Sequence, residues 1–486
     1  MSRILRILAA VIVITAVGIS LSYAETIWEK RQKALNAETQ PKPEQKAEET
    51  VVPDAYNYDE EDIAIPTENT TLDPTDPYNI TVPTMYGSII DSYKGTNGKL
   101  IIHIQDAHVN YEAQKNISSL IESINLDNGV KLILKEGNTT DKDYAYLRNQ
   151  ASLSARTIAA EKLLKDATIT GVEYFTLTTD YPVNVQGIED KALYDENKNL
   201  LWAMDGFKGA MLEYVNKVSK AAEKIKEKLY NQDLLALDTA RKDYENETID
   251  LIGYYRKLDE AIQKKGMDIS EFIGFKALMN IDGLEKKIDF AKINDNTATA
   301  AEKELYKEYQ DGLKNLNVNK VFKEELQLES KVLNAIAEND DQKKLLRISK
   351  AISILEKMLN VKLVPEEYSY FISNKQDFDP KMWVDFLKGK SDGLDLPDNH
   401  YVISNNLPSV EKFYAAAGER DRVFVKKSEE RMDKDNTLVA VLIAGGFHTP
   451  ALTNLLSEKG YSYVVISPRV TTKTDDNLYR SALKND

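Results

Sequence analysis

The chain carries four histidines, His103, His108, His400 and His448, and no cysteine. Thiolate nucleophiles, disulfides, cysteine zinc sites, iron–sulfur clusters and a lipoprotein anchor through cysteine are therefore excluded, and any histidine chemistry has few candidates. Two histidines stand just past aliphatic runs. His108 lies in Gln105-Asp106-Ala107-His108, and His448 lies in Gly445-Gly446-Phe447-His448. Asp106 and His108 are two apart and share a face in extended chain, whereas His103 has the other parity and reads as a core residue. Glu136 ends a third run in Leu134-Lys135-Glu136-Gly137, and Glu189 and Asp190 end a fourth in Gly187-Ile188-Glu189-Asp190. His400, in Pro397-Asp398-Asn399-His400, reads as an exposed loop residue.

Two imidazoles and up to four carboxylates at one edge have two uses. Neutral imidazole with carboxylate suits Zn²⁺, Mn²⁺ or Co²⁺, and an open coordination position activates water. Without a metal, a carboxylate orients a histidine as general base for water attack. The expectation is that His108, Glu136 and His448 face one cleft, within about 8 Å of a common point. Gly445 and Gly446 let a substrate approach the backbone. Thr449 and Pro450 read as N-cap and first residue of the next helix, whose N-terminus favours a neutral imidazole and can bind an anion. Against this stands the plain fact that strands commonly end in polar residues.

The elements that must position these groups are legible in the hydrophobic pattern. Lys99–Asp106 is a nearly continuous aliphatic run, as a strand buried on both faces should be. Asn110 can cap the helix that follows, with Ile117, Leu120, Ile121 and Ile124 on one face. Asn128-Gly129 breaks it before the strand Val130–Leu134, which completes a βαβ unit and predicts a parallel sheet. Val183–Ile188, Leu438–Ala444 and Tyr461–Ser467 read as further strands, with a helix over Ala451–Lys459 closed by Gly460. The expected class is α/β, a mostly parallel central sheet flanked by helices, assembled from both ends of the chain. From about Ala192 to Val364 the pattern is helical. Met211, Val215, Val218, Ala222, Ile225 and Leu229 form one coiled-coil-like seam, and Leu345, Ile348, Ile352, Leu355 and Leu359 form another. These predict antiparallel hairpins in an insertion over about 192–400, serving packing or acting as a lid or partner-binding arm.

The N-terminus reads as a targeting segment. Arg3 and Arg6 precede an apolar run from Ile7 to Leu21, and Ser22-Tyr23-Ala24 offers a cleavage site, so residues 1–24 are a signal peptide or an uncleaved anchor. Residues 25–81 form a polar linker, rich in Glu, Lys and Pro in its first half, and 82–486 the folded domain. The expected location is exported, periplasmic or cell-surface, touching membrane only through the N-terminal segment. A net charge of −15 argues against nucleic acid as the partner.

The order of motifs resembles the TraB/Tiki, ChaN-like and erythromycin-esterase superfamily. Strand–Asp-x-His–helix, strand–Glu-Gly, a helical middle, Glu419-Arg420-Asp421, then strand–Gly-Gly-x-His–helix follow that group's sequence of sites over roughly Tyr86–Asp190 and Val410–Arg469. Gly445-Gly446-Phe447-His448 matches the second Gly-x-x-His motif, and Arg420-Asp421 matches the late-helix pair. Gln105 stands where Gly is usual and Asp106 replaces Glu, so a first ligand would have to shift. The resemblance implies one of three activities: metal-dependent peptide cleavage through both histidines and the Glu, ester hydrolysis by His and Glu without an obligatory metal, or haem binding.

The resulting expectation is an exported hydrolase acting on a peptide or small-molecule ester. His108, Glu136 and His448 are its catalytic or metal-binding groups. Asp106 orients His108 or ligates a metal. Arg420 stabilises developing negative charge or pairs with a buried carboxylate. Glu189 and Asp190 stand behind them. The alternatives are a non-catalytic binder of haem or another small ligand, and a scaffold whose helical arm binds a partner.

Overall fold

The computed structural model describes residues 76–141, 144–245, 248–295, 297–316 and 318–472. The expected signal segment, and the linker up to residue 75, lie outside the described residues. Among the described residues, no helix is long and apolar enough to cross a membrane. The chain forms two compact units. One holds the described residues of 76–188, 427–445 and 456–472, and the other those of 189–426 and 446–455.

The first unit carries the sheet. Its strands are β1 (Gly87–Tyr93), β2 (Leu100–Asp106), β3 (Leu132–Lys135), β4 (Asn184–Gly187), β5 (Val439–Gly445) and β6 (Ser462–Pro468). They lie in the order β1-β6-β2-β5-β3-β4, and every pairing is parallel except β1 with β6. The α/β expectation holds, with a mostly parallel sheet and a large helical region. All seven residues of β2 are buried, which is why its sequence from Leu100 to Ile104 is nearly continuously aliphatic rather than alternating.

Helix α1 (Tyr111–Asn128) starts at Asn110, whose side chain accepts the Ala113 N–H, and ends at Gly129, where φ is +64°. Its Ile117, Leu120, Ile121 and Ile124 pack with Leu100, Ile102 and Ile104 of β2 in one core. Each such side chain contributes about 2 kcal/mol by leaving water. Three further helices, α2 (Ala145–Arg148), α3 (Leu153–Lys165) and α4 (Gly171–Thr178), fill the connection from β3 to β4. Pro77–Asn79 make a short 3-10 turn and Ile80 is buried in the same core, so packing begins a little before Val82.

Strand β1 was not expected. Its register shifts between Ile89 and Asp91, so Ile90 is an extra residue and two apolar side chains fall side by side. That bulge erases the period-two signal.

The second unit is helical. It is built from α5 (Lys191–Leu229), α6 (Gln232–Glu245), α7 (Leu251–Lys265), α8 (Ile273–Glu285), α9 (Phe290–Asn294), α10 (Ala300–Asn315), α11 (Val318–Ile336), α12 (Asp340–Leu359), α13 (Pro365–Ser373) and α14 (Pro380–Lys388). It also takes in most of α15 (Tyr401–Lys434) and of α16 (Thr449–Glu458). The two heptad-like seams meet each other: α5 packs on α12, more than a hundred residues away in sequence. Their directions are opposed, since Gln342 at the start of α12 donates to the Leu229 carbonyl at the end of α5. Sequence periodicity marked both faces but not their pairing.

Candidate functional site

The strand order places a topological switch between β2 and β5. From β2 the chain crosses over β5 to reach β3, and from β5 it crosses over β2 to reach β6. The two neighbouring strands therefore send their connections in opposite directions, and the crevice beyond such carboxyl ends is where open α/β sheets bind ligands. Asp106, the last residue of β2, lies in register with Gly445, the last of β5.

Asp106 and His108 form a pair at this edge, with His108 Nδ1 2.8 Å from Asp106 Oδ2. The carboxylate is buried, while 40 % of the His108 side chain is open to solvent. Nδ1–H donating to Asp106 leaves Nε2 as the acceptor atom of the neutral ring. The intervening turn is tight. The Asn110 N–H donates to the Ala107 carbonyl, and Val109 sits at φ +56°. A β-branched residue in the left-handed region is strained, and such strain gathers where a side chain must be aimed.

Burial alone would lower the pKa of His108. The facing Asp106 charge and hydrogen bond outweigh it, Glu136 adds to them, and the ring is raised to about 9. Burial alone would likewise raise Asp106. The His108 charge and the hydrogen bonds from His108 and Gln114 hold its carboxyl below the ordinary value. The resting pair is imidazolium and carboxylate.

Glu136 follows β3 and clamps the strand end. Its backbone N–H donates to the Ile443 carbonyl, and its Oε2 accepts the Gly445 N–H at 2.7 Å. Asp106, His108 and Glu136 thus belong to one edge of the sheet unit.

His448, Arg420, Glu189 and Asp190 belong to the helical unit. His448 lies in a 3-10 turn, Gly446–His448, and α16 begins at Thr449 itself, so Thr449 is the first helical residue rather than the cap. The ring is 4 % exposed, stacks edge-on against Phe424 and Phe447, and places Nδ1 2.6 Å from Asp421 Oδ1. Arg420 makes a two-pronged pair with Glu189, at 2.7 and 3.2 Å, and donates to Asn197 Oδ1. Its guanidinium lies 5.3 Å from the ring centres of Tyr194 and Phe424. Asp190 is the N-cap of α5, accepting from the N–H groups of Ala192 and Leu193. Asn197 and Gln114 are partners that the sequence did not single out, whereas Asp421 enters there only as half of the Arg420-Asp421 motif, without a role of its own.

His103 is fully buried on the opposite face of β2, with Nδ1 3.2 Å from the Leu442 carbonyl oxygen. His400 is partly exposed in the turn before α15.

Among the described residues, no three His, Asp or Glu side chains stand where they would hold a metal ion together. At the sheet edge Asp106 is taken up by His108 and Gln114, and Glu136 accepts from Gly445. No family model matches the chain, and no curated protein or solved structure matches it either.

Proposed function

We propose that this chain is an exported hydrolase of ester or peptide bonds, akin to the erythromycin-esterase branch of the superfamily it resembles, in which His108 activates water. The observation that carries the reading is the Asp106–His108 pair, 2.8 Å apart, with a partly open ring beyond the carboxyl end of a central parallel strand. The neutral ring accepts the proton of an attacking water at Nε2, and Asp106 stabilises the imidazolium that forms. The same ring then returns the proton to the leaving group. Because partners raise the ring to about 9, the base form is a minority at neutral pH and the rate climbs with pH.

The test is hydrolysis of p-nitrophenyl acetate and a set of short peptides, with the His108→Gln variant as background. The His108-dependent rate should rise about tenfold per pH unit and level near the ring's titration. No His108-dependent turnover of any of them between about pH 6 and about pH 10 would overturn the reading. Export rests on the Arg3/Arg6, apolar, Ser22-Tyr23-Ala24 order, and protein recovered from a Gram-negative host should begin at Glu25.

A second reading rests on the charge of the same ring. An imidazolium at an open strand edge holds an anionic small molecule, haem with its propionates among them, without turning it over. Absorbance changes on haem addition that His108→Gln abolishes, without hydrolysis, would favour it.

A further inference from the structure

Gln114 stands one turn into α1, at position i−3 from Ile117, and is 3 % exposed on the buried face that carries Ile117, Leu120, Ile121 and Ile124. A buried amide costs free energy unless its donors and acceptor are satisfied. Here they are spent on the site. Its Nε2 donates to Asp106 Oδ1 at 2.6 Å and to the Ala107 carbonyl at 3.1 Å, and its Oε1 accepts the Gly171 N–H at 2.6 Å. One amide therefore binds the carboxylate, the turn that carries His108, and the first residue of α4.

The far anchor is rigid. A Cβ on Gly171 would come within 2.3 Å of the Gln114 carbonyl, so α4 starts directly against the α1 backbone. Behind it Glu173 closes a capping box with Thr170 and takes a salt bridge from Lys135, the residue before Glu136. Burial alone would raise Glu173, but Lys135 and Thr170 outweigh it and hold its carboxyl at about 2. The network returns to the strand edge from which it began.

We infer that Gln114 is the positioning residue of the Asp106–His108 pair: by holding Asp106 Oδ1, it aims Oδ2 at His108 Nδ1 and fixes which ring nitrogen carries the proton. This deepens the hydrolase reading and rests on it for its purpose, but the geometry is testable without turnover. With Oδ1 held, the carboxylate presents one oxygen to Nδ1. Without Gln114 it rotates about χ2, which is a soft torsion, and Nδ1 loses its fixed acceptor.

The experiment is ¹⁵N-edited NMR of the histidine rings in the full chain, at a pH where His108 is neutral. It compares the wild type with Gln114→Met, which is close in size but has no donor, and Gln114→Asn, which keeps the amide on a stem too short to span the three partners. The wild type should show a single Nδ1–H tautomer for His108. Both variants should show a loss of that preference, with the Nε2–H form appearing. Gln114→Asn secures the comparison should Gln114→Met fail to fold. A folded variant that keeps the single Nδ1–H tautomer overturns the inference, even if it melts earlier. A wild type lacking the Nδ1–H form would instead sink the Asp106–His108 geometry and the hydrolase reading with it.

Discussion

Asp106 and Gly445 face each other in register at the ends of two parallel strands, and the Gly445 N–H is capped by the Glu136 carboxylate from a third. The candidate edge is thus fixed by three strands far apart in sequence. The turn after β2 is aimed by a strained residue, and its carboxylate is held from α1. Each of these supports predicts a separable outcome.

The first prediction concerns the charge of His108. Its folded titration, at about 9, lies above the ordinary 6.5 because of Asp106. The stability that this pair adds is therefore fully present below about pH 6.5 and is lost as pH rises through the folded value. Asp106→Asn removes the charge and keeps the shape. The His108 ring should then titrate below about 9, because burial is opposed only by the Glu136 charge, and NMR titration reads this directly. A midpoint still near 9 would mean that Asp106 is not the cause.

The second concerns His448. A residue just past a strand would be expected to carry little packing. Here the ring is almost wholly buried, packed between two phenylalanines and paired with Asp421. His448→Ala leaves a buried carboxylate without that partner, a change that costs on the order of 3 kcal/mol. Denaturant unfolding of the variant should show a loss of that size. A loss under about 1 kcal/mol would show that Asp421 is rescued by another group or by water.

What the sequence disclosed follows physical lines. Strands β2, β5 and β6 are buried along their length, so their aliphatic runs are conspicuous, whereas β1 is masked by its bulge at Ile90. The two-residue spacing of Asp106 and His108 was enough to foresee that they share a face. Gln114 was not foreseen, although a signal existed: a polar residue on the Ile117–Ile121–Ile124 stripe must bury its amide. Asp421 is marked only by the Arg420-Asp421 resemblance, and nothing in the sequence points to its pairing with His448. It sits among Glu419, Arg420 and Arg422 on a charged stretch of α15, and only tertiary packing separates the buried members from the exposed ones.

The third prediction concerns Val109. Its left-handed backbone, at φ +56°, costs a β-branched residue about 1–3 kcal/mol, part of which glycine recovers. Val109→Gly should raise stability by about 1 kcal/mol, net of the extra freedom glycine has when unfolded. The denaturant midpoint should move up with an unchanged slope. A destabilisation of the same size would show that the Val109 side chain holds the turn by packing.

The last prediction separates the two roles open to Glu136. Its Oε2 accepts the Gly445 N–H, so any substitution that removes the oxygen unties β3 from the end of β5. Glu136→Gln keeps an acceptor on a side chain of the same length and removes only the charge. Glu136→Ala removes both and leaves the Gly445 N–H without this acceptor, which costs about 1–3 kcal/mol where that group is buried. If Glu136 is a clamp alone, Glu136→Gln should unfold like the wild type and keep its His108-dependent turnover, while Glu136→Ala loses stability. The Glu136 charge also contributes to the raised titration of His108, so in Glu136→Gln the ring should titrate somewhat lower and the pH profile of turnover should shift down with it. A Glu136→Gln variant of unchanged stability with turnover abolished at every pH would show that the carboxylate takes part in the chemistry and is more than the hinge pin of the strand edge.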